Sequence, residues 1–144
     1  MHPRRKARIG VLGALYAESQ THENPEKILR DVYSRESFTH SSKKYIRLLF
    51  LETLKHMETC DSLIETHLEN WKFNRIALLD KLILRMALTE MLYIPDVPSK
   101  AAISEAIEIA KEFSSEESSS FVNGILDAAY KNPKLEKLFE EKSN

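Results

Sequence analysis

The chain has 144 residues, 42% hydrophobic and 30% charged, which is enough apolar mass for one domain with a real core and too much for a disordered segment. Three glycines and five prolines supply few of the turns that a sandwich, barrel or doubly wound sheet needs, and the single cysteine, Cys60, excludes both an internal disulfide and a zinc finger. The net charge of −1 hides a segregation: residues 1–17 contain Arg4, Arg5, Lys6 and Arg8 and no acid, while the rest carries seventeen basic and twenty-two acidic side chains.

The basic head followed by apolar Ile9 to Ala17 has the outline of a secretory signal, but the apolar stretch is short, contains two glycines, and offers bulky Leu15 where a cleavage site wants a small residue. A helix from Arg4 to Glu18 is expected instead, opened by Pro3, whose missing N–H costs nothing at that position. Ala7, Gly10, Ala14 and Ala17 then form a small-residue stripe beside Val11 and Leu15, fit for close approach of a neighbouring helix. Four cations at a helix N-terminus oppose the macrodipole, at about 0.3–1 kcal/mol each when exposed. Stability would not place them there; a bound polyanion would compensate them, and nucleic acid is the commonest such ligand.

Further along, Pro25 opens a second helix reaching about Tyr33. Ile46, Leu49, Phe50, Leu54, Met57, Cys60, Ile64 and Leu68 recur at three- and four-residue steps and predict one long helix from Lys43 to Glu69. On it Glu52, His56 and Cys60 share a stripe, but its outer members would lie about 12 Å apart, so no single metal ion can be bridged by all three. Trp71 follows, able to plug a bundle end or to stack on a base. Ile76 to Ile94 has fourteen apolar residues in nineteen, yet Asp80, Lys81, Arg85 and Glu90 make it a central core helix and not a membrane span, with Lys81, Arg85 and Thr89 as its one polar stripe.

Asp96-Val97-Pro98 ends that helix, and Ile103, Ala106, Ile107, Ala110 and Phe113 give the next its buried face. Ser114 to Glu117 fits a capping box opening a helix through Phe121, Ile125 and Ala128, and a short frayed helix is expected after Asn132-Pro133. The expected fold class is therefore all-α, a bundle of about six to seven helices. No phosphate-binding glycine loop, nucleophile elbow or His-Glu-x-x-His motif occurs, so no enzyme, cofactor or metal is indicated.

Three segments together resemble the NusB family of bacterial transcription antitermination factors: Arg4-Arg5-Lys6-Ala7-Arg8 through Ala14-Leu15-Tyr16; Trp71 through Arg75 to Asp80-Lys81-x-Ile83-Leu84-Arg85; and Ala102-Ile103-Ser104-Glu105-Ala106 through Lys111 to Phe121-Val122-Asn123-Gly124-Ile125-Leu126-Asp127. The resemblance implies two small helical subdomains, set here at residues 1–70 and 71–144, in a cytoplasmic protein without enzymatic activity. It implies binding to boxA leader RNA together with the ribosomal small-subunit protein NusE, tethering that RNA to transcribing RNA polymerase. By the same resemblance Arg4, Arg5, Lys6 and Arg8 hold phosphates, Tyr16, Arg75 and Phe121 contact bases or backbone, and Asp80 and Glu117 face NusE. Gly13, where Gln is common, and Ser104, where Asn usually precedes the Glu, depart from the family pattern. A helical protein–protein adapter whose basic head only solubilises it is the alternative reading.

Overall fold

The computed structural model describes residues 1–70 and 72–142; Trp71, and with it the choice between bundle plug and stacking platform, lies outside the described residues. Among the described residues are eight α-helices, one 3-10 turn and no strand, so the expected six to seven helices is a slight undercount. None of these helices is long and apolar enough to cross a membrane. Two compact units are formed, Met1–Lys55 and His56–Asn144.

The first unit contains α1 (Pro3–Thr21), α2 (Pro25–Arg35) and α3 (His40–Lys55), each packed on the other two. Both prolines sit in a first turn, and the residue before each caps it: His2 Nδ1 accepts from the Arg4 amide at 3.1 Å, and Asn24 Oδ1 from that of Glu26 at 2.8 Å. α1 runs past Glu18 and ends where His22 turns left-handed, at φ 54°, returning its N–H to the Glu18 carbonyl. Ala7, Val11, Ala14 and Leu15 are buried as the small-residue stripe requires. At Gly10 a Cβ atom would stand 3.2 Å from both Ile46 Cδ1 and Phe38 Cζ, so the absent side chain is what lets α3 come close.

The second unit is built around α5 (Leu78–Tyr93), which packs against α4 (Met57–Thr66), α6 (Ser99–Phe113), α7 (Glu116–Lys131) and α8 (Pro133–Glu141). Leu82, Ile83, Leu84, Met86, Ala87, Leu88 and Met91 are all essentially inaccessible to solvent, and each large side chain among them contributes about 1.5–3 kcal/mol by burial. The polar stripe of α5 is only partly covered. Arg85 forms a two-pronged ion pair with Asp61 of α4, at 2.7 and 3.0 Å, and Thr89 meets the Cys60 thiol at 3.5 Å. Lys142 closes the other end, donating at 2.7 Å to the carbonyls of Glu90 and Val97.

Two boundaries correct the sequence reading. The single helix expected over residues 43–69 is broken at His56, and α4 packs with the C-terminal unit. The Thr53 hydroxyl donates to the Leu49 carbonyl at 2.6 Å, a back-bond that weakens the last turn of α3, and Cys60 and Ile64 of α4 are buried within unit 2. The cap of α7 lies one residue later than the predicted box: Ser115 Oγ accepts from the Ser118 amide at 3.0 Å, while the Ser114 and Ser118 hydroxyls pair at 2.7 Å.

Candidate nucleic-acid interface

The positive charge of the first unit is concentrated in its head, which supplies four of its five net charges. Residues 1–55 carry eleven basic and six acidic side chains, residues 56–144 ten basic and sixteen acidic, so the units hold +5 and −6. At the start of α1 the Arg4 guanidinium lies 3.8 Å above the Tyr45 ring centre. Lys6 Nζ donates to the Ser37 carbonyl at 2.5 Å, stands 3.4 Å from Glu36, and lies 5.3 Å from the Phe38 ring centre. Arg5 is half-buried and shares the outer face of α1 with Tyr16, about three turns on and half exposed. Gly13 lies between them with nothing within 4 Å of where a Cβ would be, so its lack of a side chain leaves that part of the face bare.

Arg8 departs from expectation. It is only 4% exposed, so it does not stand on the accessible surface with the other three. The physical reason is helical geometry: successive residues point about 100° apart, and a run of cations cannot all share one face.

In the second unit the structure brings together four residues that the sequence reading divides between two roles. Arg75 from the 3-10 turn Phe73–Arg75, Asp80 from the first turn of α5, and Glu117 and Phe121 from the start of α7 line one cleft of about 320 Å³. Arg75 and Glu117 are exposed, Phe121 is half-buried and Asp80 is buried. Asp80 Oδ2 accepts from the Ser118 hydroxyl at 3.2 Å, while its buried Oδ1 has no partner among the described residues. Burial pushes this carboxyl above the usual range, and the Ser118 bond offsets only part of the rise. Ser115 and Ser118, which frame the cleft, are missed by sequence reasoning; the Ser-rich run from 114 to 120 is the only signal for them.

A raised carboxyl binds its proton more tightly in the folded state, so its contribution to stability is fully present below the unfolded value and is lost as pH rises through the folded one. Asp80→Asn is expected to flatten that dependence and to be no less stable at neutral pH, as urea denaturation at a series of pH values would show. A steeper fall with pH in the variant would contradict the assignment.

No group of three or more potential metal ligands is gathered among the described residues. Cys60 is enclosed, with its thiol pushed up to about 11 by burial, and the His56 ring stacks on Tyr93 with centres 3.6 Å apart, so neither is presented to an ion along the helix stripe.

An all-helical fold with ring-anchored cations on one unit and a small cleft of mixed polar and apolar lining on the other is that of a binding protein. Residues 3–131 match the NusB family, and the transcription antitermination protein NusB of Salinibacter ruber is 44% identical over 129 residues, spanning 89% of this chain and 81% of that protein. Among solved structures, T. maritima NusB superposes with a TM-score of 0.84 at 35% identity, covering 96% of this chain and 98% of its own. Antitermination factor NusB, in a crystal structure with NusE and double-stranded RNA, gives a TM-score of 0.82 at 26% identity, covering 91% and 98%. The chain belongs to the NusB family, and its curated relatives are named transcription antitermination proteins.

Proposed function

We propose that this chain binds boxA-type leader RNA of ribosomal RNA operons together with NusE, holding the RNA to transcribing polymerase in the cytoplasm and so suppressing termination. The observation that carries the reading is the set of cations at the start of α1, placed against the helix dipole and held over aromatic rings. Arg4, Arg5 and Lys6 take phosphates. Tyr16 offers an exposed ring for a base, and in the cleft Phe121 and Arg75 offer a second ring and cation. Asp80 and Glu117 lie in that same cleft within a unit of charge −6, which suits a basic ribosomal protein.

Fluorescence anisotropy with a boxA-type RNA, with and without NusE, across a range of salt tests the proposal. Binding strengthened by NusE and weakened by salt is expected. Retained NusE affinity with no RNA binding under either condition would favour the protein-only adapter.

A further inference from the structure

The cations of the first unit divide by what faces them. Lys27 sits between Glu23 and Asp31, and Arg47 grips Glu26 through two bonds at 2.6 and 2.7 Å, so these charges are neutralised where they stand. Others rest on rings: Arg4 over Tyr45 at 3.8 Å, Lys6 over Phe38 at 5.3 Å and Lys43 over Tyr33 at 5.5 Å from the ring centres. A ring face holds a cation through its quadrupole and leaves the formal charge uncancelled, although Glu36 takes a share of Lys6. Lys44 is exposed and has no ion-pair partner among the described residues.

These groups occur at one end of the unit. Arg4 covers Tyr45 of α3, and Lys6 touches Ser37 and Phe38 in the segment leading into that helix. Around α3, Lys44 projects about 100° from Tyr45 and Lys43 about 100° further, toward Tyr33 of α2. Neither α1 nor α3 has an acid in its first turn. Among the described residues of this unit, the large apolar side chains that stand exposed are Met1, Tyr16 and Leu48.

We infer that an RNA strand held by the cations of α1 continues around the start of α3, with Lys44 and then Lys43 as further phosphate contacts. The inference rests on the RNA-binding reading and extends the surface beyond every residue which that reading names. The strand is recognised here through its phosphates alone, so the added contacts increase affinity without reading sequence.

The test compares a boxA-type RNA of about 10 nucleotides with the same RNA lengthened by about 10 at each end, a span exceeding the ~4–16 nucleotides of a compact single-strand site. For wild type, the slope of log K against log salt should be steeper with the longer RNA by about 1.4, two phosphate contacts at about 0.7 each. Lys43→Ala/Lys44→Ala should abolish that increment and leave the short RNA bound as before; Lys44→Glu alone, an exposed change checked by circular dichroism, should remove at least half of it. Equal slopes for wild type and variants on the longer RNA would overturn the inference while leaving the role of α1 intact. Failure of wild type to bind the short RNA would remove the RNA reading itself. Loss in the variants of binding to phosphatidylserine vesicles, with long-RNA binding unchanged, would also overturn it, assigning the patch to a membrane surface.

Discussion

Replacing Arg4, Arg5 and Lys6 together by alanine is expected to flatten the salt dependence of RNA binding by about 2, three phosphate contacts at about 0.7 each, while leaving the helix folded and NusE affinity unchanged. The fold survives because the opposing terms are of similar size. Each exposed cation removed from the α1 N-terminus relieves about 0.3–1 kcal/mol of repulsion from the macrodipole, and loss of the Arg4–Tyr45 contact costs about 0.5–1 kcal/mol. Arg8→Ala should behave differently: its side chain is buried, so the change should appear in thermal stability before it appears in the salt slope. A triple variant with undiminished slope would show that these cations serve solubility alone.

Asp61→Ala should destabilise the second unit by about 3 kcal/mol, the lower end of the range for stripping one partner from a buried pair. The Arg85 side chain keeps 12% of its surface exposed and that of Asp61 26%, so water reaches the remaining guanidinium only partly once the carboxylate is gone. The double change Asp61→Leu/Arg85→Met should cost distinctly less, because it removes the charge together with its partner. Urea denaturation of the three proteins measures the difference. A loss below about 1 kcal/mol in the single variant would mean that the pair behaves as an exposed one.

The parts of the fold visible in sequence are those whose signal is local. Pro25 behind Asn24 marks the start of α2, and the dense apolar run from Ile76 marks α5 as central. The break at His56 carries no such mark: no glycine or proline stands there, and the apolar period continues across it. What changes is the partner that each half faces, a matter of tertiary packing that periodicity does not encode. The cap of α7 slipped by one residue for a related reason, since adjacent serines offer equivalent oxygens and only the chain direction selects Ser115.

The candidate site follows the same division. A run of four cations is conspicuous in a sequence, but the helix distributes them in different directions and takes Arg8 inside. Arg75 and Asp80 are near each other in the chain, as are Glu117 and Phe121, yet the cleft they share exists only because α7 packs on α5. The contribution of α3 was invisible, because Lys43 and Lys44 look like an ordinary solvated pair until Tyr45 is found under Arg4.

The enclosure of Cys60 gives the protein a gauge of its own opening. It is the sole thiol in the chain, sits where α4 meets α5, and is kept in its unreactive form, so an alkylating dye can mark only those molecules in which that seam has parted. The labelling rate thus reports how often the acidic unit breathes, with no engineered probe.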